Sequence, residues 1–220
     1  MDTWTIHYLN SRGALDQYTE RIDSAFRGLA RRAEQVAKPI VLDIVVRALR
    51  NGVIPEIGHV GFAPGIGVLE LTIDPDNPNL ANHMGEPLER MMAHELHHAM
   101  RWETVGYGTT LGEVLISEGL AGRFAQELYG GEGELWERAA SREHLGAIAE
   151  RAAVHANDTD YDHATWFFGS GELPRWVGYT LGWEIVGDYL RNHPGLTASG
   201  LAGTPADRIL PSLRVFASNS

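Results

Sequence analysis

The five residues His94-Glu95-Leu96-His97-His98 constrain this chain more than any other segment. Two imidazoles four residues apart share a face only if the backbone between them is helical. His94 and His98 then lie one turn apart and can both reach one ion. Glu95 sits about 100° further round, near enough to touch a water without occupying the ion. The flanks agree with a helix. Leu88, Met91, Met92, Leu96 and Ala99 make one apolar side. Glu89, Arg90, His97 and Arg101 populate the other, so His97 is expected in solvent. Pro87 suits a first turn, and the helix is expected to run to about Trp102.

Thr110 and Glu113 form a capping box, which opens a second helix expected to end at about Tyr129, before Gly130-Gly131. Its apolar stripe is Leu111, Val114, Leu115, Ala121, Ala125 and Leu128, and Glu118 stands in the middle of it. A carboxylate on a buried face is costly unless it is paired with an arginine or bound to a metal. The chain has no cysteine, which excludes thiolate sites and leaves His, Asp and Glu as ligand types. Catalytic zinc keeps three protein ligands and one position for water. His94, His98 and Glu118 make that set, for one Zn2+ per chain, with Glu95 as the catalytic base. Gly119 and Gly122, poor helix formers, are expected to let this helix approach the first one closely.

The rest of the pattern is α+β. Residues 14 to 37 repeat apolar side chains at helical spacing up to Pro39. Ile40 to Val46 is a β-branched strand, 58 to 63 is extended, and Val68 to Ile73 is a further strand, either an ordinary structural one or the sheet edge that lines the cleft. Asp74-Pro75-Asp76-Asn77 reads as a turn. Helices are expected from about 132 to 154 and from Pro174 to before His193-Pro194. The polar segment Asn157 to His163 is expected to be a loop or lid, since it lacks the calcium-loop pattern. One domain, 1 to 220, is expected, with a β-containing part of about 1 to 80 and a helical part of about 81 to 220.

The segments Ala93 to His98 and Ser117-Glu118-Gly119-Leu120-Ala121 together resemble the gluzincin arrangement and, more narrowly, the predicted zinc-dependent proteases of the DUF2268 family. Phe62-Ala63-Pro64-Gly65, Ile73 to Pro78, Trp166 to Gly169 and Pro174 to Tyr179 extend the resemblance over about residues 60 to 190. It implies a zincin-like fold: a small N-terminal mixed sheet, a metal-binding helix, then a helix bringing the third ligand. Thermolysin-like proteins carry an Asp four residues after the ligand Glu, and here Gly122 stands in that place.

The chemistry implied is hydrolysis of a peptide or protein by zinc-activated water. Tyr179 and His163 are candidate partners for the developing oxyanion, with His155 and Arg175 as alternatives; Tyr179 also fits a plain core stripe with Trp176 and Trp183. A non-peptide metal-dependent hydrolase and a non-catalytic zinc-stabilised interaction protein stay open, although Glu95 has no purpose in the latter. The formal net charge of −11, with Lys38 the sole lysine, disfavours nucleic acid and anionic membranes as partners. Partner proteins are not legible. The start, Met1-Asp2-Thr3-Trp4, has no basic segment followed by an apolar one, so the expected compartment is the cytoplasm.

Overall fold

A computed structural model of the chain describes residues 3–218. The first two residues of the start that was read for a targeting signal therefore lie outside the described residues. Strands are confined to the first third and helices dominate the remainder, which makes the class α+β. Two compact units divide the chain, Met1–Glu103 and Thr104–Ser220.

The first unit is built on a four-stranded mixed sheet. Its strands are β1 (Trp4–Leu9), β2 (Leu42–Ala48), β3 (His59–Gly65) and β4 (Val68–Ile73), in the order β1-β2-β4-β3. β1 pairs with β2 and β2 with β4 in parallel, while β3 runs antiparallel to β4. The crossover between β1 and β2 is helix α1 (Thr19–Ala33), shorter than the periodicity predicts at both ends. Its Phe26 meets Trp4 of β1 edge-on, with ring centroids 6.5 Å apart. Helix α2 (Glu86–Trp102) packs on α1, β3 and β4. Ile44, Val46, Leu69 and Leu71 from the sheet, Ile22 and Leu29 from α1, and Leu88 and Leu96 from α2 are all buried.

Two sequence expectations change here. β1 was not anticipated. β4 is an interior strand, not the edge; the edge on that side is β3, because the parallel β2–β4 pairing leaves the hairpin partner outermost. The segment from Asp74 is the turn its composition predicts. Asp74 accepts from the backbone N–H of Asp76 at 3.0 Å and of Asn51 at 3.1 Å.

The second unit holds α3 (Leu111–Tyr129), α4 (Gly146–His155), α5 (Val177–Asn192) and α6 (Pro211–Ser218). α3 lies against α5, and α4 against α6. Gly119 and Gly122, expected to ease an approach to α2, have their nearest neighbours inside the second unit. A Cβ on Gly119 would stand 2.2 Å from the Gly182 carbonyl oxygen of α5, and one on Gly182 would stand 2.3 Å from the Leu115 carbonyl oxygen. The space over Gly122 is filled by the Glu137 carboxylate.

The single helix expected over 132 to 154 is broken into 3-10 turns at Leu135–Arg138 and Arg142–Leu145, followed by α4. Side chains divert the main-chain groups that would extend it. The Glu137 side chain accepts from the Glu134 N–H at 2.6 Å, and Arg138 Nε donates to the Gly133 carbonyl at 2.6 Å. Thr180 Oγ1 accepts from the Ala139 N–H and donates to the Trp136 carbonyl, at 3.1 and 2.9 Å. α5 starts at Val177 rather than Pro174, because Trp176 adopts a left-handed φ of 69°. Among the described residues no helix is long and apolar enough to cross a membrane.

Two stability predictions follow from this packing. Gly182→Ala places a methyl against main chain that has no rotamer to change, so it should destabilise the protein by about 2 kcal/mol, read as a lowered midpoint in thermal unfolding. The second concerns His59, fully buried in β3, whose Nε2 donates to the His83 carbonyl at 3.1 Å. Burial lowers its pKa to about 4, and the bond to His83 opposes this only in part. An unfolded histidine titrates near 6.5, so the unfolded chain takes up this proton first as pH falls. The neutral buried ring costs nothing above about pH 6.5, and roughly 3 kcal/mol of stability is lost as pH falls from there to about 4. Urea midpoints at pH 7.5 and 4.5 should differ less in His59→Gln than in the parent.

Candidate metal centre

α2 has Pro87 in its first turn and runs unbroken through the His94–His98 segment. One turn apart, the two rings meet edge-on, with centroids 4.8 Å apart and an interplanar angle of 77°. Their Nε2 atoms are 3.1 Å apart. Two imidazole nitrogens held about 2.0–2.1 Å from a tetrahedral zinc ion are separated by about 3.3 Å. The pair therefore fits such an ion with little rearrangement. Both histidines are buried, at 6% and 4% exposure.

Glu95, also buried, lies over β3. A Cβ on Gly61 would stand 2.4 Å from Glu95 Cγ and 3.3 Å from Met92 Sδ, so the absence of a side chain at 61 is what admits the glutamate there. His97 corrects the sequence expectation. It is fully buried, and so are Arg90 and Arg101 on the same side of the helix. Polar residues at helical spacing predict a solvated face, but of these only Glu89 keeps partial exposure.

Glu118 stands near the middle of α3, 6% exposed, as its place in the apolar stripe predicts. The capping box at Thr110 and Glu113 is present. The Tyr107 hydroxyl donates to Glu118 Oε1 in a short hydrogen bond. Burial, and then the Glu118 charge, hold the Tyr107 phenol well above its ordinary pKa. Burial and the same carboxylate push Tyr161 up to about 12. Burial lowers His163, opposed in part by Glu118 and Asp162, so this imidazole is neutral at pH 7. His163 stacks on Phe167 at 4.5 Å, with Tyr161 Oη 3.2 Å from its Nδ1. Phe167 meets Tyr179 edge-on at 5.0 Å.

The structure thus brings together His94 with His98, and places His163 and Tyr179 on either side of Phe167. The two alternatives to them are engaged elsewhere: His155 Nδ1 is 2.6 Å from Asp158, and Arg175 covers the Trp176 ring at 3.7 Å. Tyr107, Tyr161 and Gly61 are additions that the sequence reading missed. A faint signal for Tyr107 was present, since an aromatic between two glycines just before a helix cap has a restricted path. The acidic loop turns its oxygens to local bonds, Asp158 to His155 and Asp162 to the Thr165 hydroxyl at 2.8 Å. Among the described residues His94, His98 and Glu118, all buried, are a group that could hold a metal ion.

Comparison with known proteins bears on the same residues. A family model described as predicted Zn-dependent protease (DUF2268) matches residues 18–211. The uncharacterized protein YjaZ of Bacillus subtilis (strain 168) is 32% identical over 133 residues, which is 56% of this chain and 49% of that protein. The uncharacterized protein YjfC of the same organism is 33% identical over 78 residues, 34% of this chain and 24% of that protein. The aligned part thus spans less than half the length of either relative.

Proposed function

Because the chain belongs to the predicted Zn-dependent protease family, we propose that it is a zinc metallopeptidase of the gluzincin type, with a zincin-like fold over a single catalytic domain. His94, His98 and Glu118 are the ligands of one zinc ion in this reading. The observation that carries it is the pair of buried imidazoles with Nε2 atoms 3.1 Å apart, together with the buried Glu118 carboxylate that groups with them as a possible metal-binding set. When bound, zinc lowers the pKa of water to about 7 and polarises a carbonyl.

The remaining chemistry belongs to side chains. Glu95, seated against Gly61, takes the proton from the attacking water and returns it to the leaving amine. His163 is neutral at pH 7. In the tautomer with its proton on Nε2, in which Nδ1 accepts from the Tyr161 hydroxyl, it would donate to the developing oxyanion. Tyr179 is the second candidate donor. The edge strand β3, beside α2, suits an extended peptide, whose main chain would pair with it. This replaces β4 in that role.

Two experiments test this function. In the first, Glu95→Gln should keep zinc while peptide hydrolysis falls by about a hundredfold or more. Hydrolysis by neither protein across a varied peptide library, with zinc bound, would sink the peptidase reading; cleavage confined to non-peptide esters or amides would move the activity to another hydrolase class. In the second, Gly61→Ala should displace Glu95. The expected result is a fall in kcat of up to about a hundredfold with zinc affinity unchanged, measured by steady-state kinetics beside chelator competition.

A further inference from the structure

We propose that Tyr107 is a positioning residue of the metal centre, strapped to the start of α3 so that its phenol holds Glu118 Oε1 and presents the carboxylate to the ion through its other oxygen. The proposal rests on the reading of Glu118 as a ligand.

The path of the strap is built from main-chain conformation. Gly106 and Gly108 flank Tyr107 with φ of 76° and 112°, a region that side chains rarely adopt. Two such residues in three bend the connector sharply on either side of the ring. The bend is then fastened to the helix. Glu113 Oε2 accepts from the N–H groups of Thr109 and Thr110 at 2.8 and 2.9 Å, and from the Thr109 hydroxyl at 3.3 Å. Gly108 lies so close that a Cβ there would stand 2.5 Å from the Glu113 Cβ. From that anchorage the Tyr107 side chain reaches Glu118, about two turns into α3, and donates to it.

A carboxylate can bind an ion through one oxygen or two. A donor fixed on one oxygen withdraws that oxygen from the ion and prevents the carboxylate from rotating. The other oxygen then makes a single bond, and a coordination position is left for water. A phenol suits this role because it is rigid and, at neutral pH, donates without bringing a charge. The role differs from that of Tyr161 and His163, which feel the charge of the same carboxylate from the loop after α4.

The test uses the full-length protein with zinc and with cobalt as a visible reporter. Tyr107→Phe should bind zinc about tenfold to a hundredfold more weakly in competition with a chelator. The parent should show the intense visible bands of four-coordinate cobalt, and the variant the weaker bands of a five-coordinate ion. A structural role for the ring alone would leave the cobalt spectrum unchanged. Equal zinc affinity and an unchanged spectrum in the variant would overturn the proposal. So would five-coordinate cobalt in the parent, a measurement that decides the matter even if the variant fails to fold by circular dichroism. A parent that takes up neither metal would show that Glu118 is not a ligand, and the proposal would fall with that reading.

Discussion

Helix α2 buries three histidines, a glutamate and two arginines among its leucines and methionines, and this concentration of ionisable groups away from water is the condition to which the rest of the first unit answers. Each such group loses several kcal/mol of hydration unless something returns it. The sheet supplies one part of the answer, a floor of β3 and β4 on which α2 lies, with a gap at Gly61 for Glu95. In the proposed reading an ion shared by His94 and His98 would supply another, since their Nε2 atoms, 3.1 Å apart, would both turn lone pairs to it.

The second unit meets the same problem with different means. Glu118 stands where the stripe of α3 should be apolar; the Tyr107 hydroxyl donates to it, and Tyr161 and His163 feel its charge. Burial raises the Tyr107 and Tyr161 phenols, with the carboxylate adding to it, and lowers His163, with the carboxylate opposing it in part. In the proposed mechanism the neutral His163 and the protonated tyrosines would act as donors at neutral pH.

How much of this could be read from residues alone depended on how local each signal was. The capping box at Thr110 and Glu113, the helical run through His94 and His98 and the turn at Asp74 are set by neighbours a few positions apart, and the structure holds all of them. Trp4-Thr5-Ile6-His7-Tyr8-Leu9 also alternates, but a six-residue strand at an edge is a weak pattern beside a long helix. The place of β4 inside the sheet was out of reach, since parallel pairing with β2 joins residues far apart in sequence. His97 was misjudged because polarity was taken for exposure. The break in the helix after 132 depends on Thr180, some forty residues away, capturing main-chain groups of Trp136 and Ala139. Among the candidate site residues, the proposed ligands and Glu95 follow from spacing and stripe position. Tyr107 and Tyr161 sit on connectors, where no periodicity marks them.

The meeting of α3 and α5 has an implication for how this protein can diverge. At Gly119 and Gly182 the contact is main chain on main chain, so there is no side-chain volume on one helix that a smaller residue on the other could accommodate. Ordinary cores drift by paired exchanges of large for small. This one has no such currency: a bulkier residue at either position can be absorbed only by the helices moving apart, which would carry Glu118 with them. Neutral variation in the second unit is thereby steered to its connectors and outer helical faces.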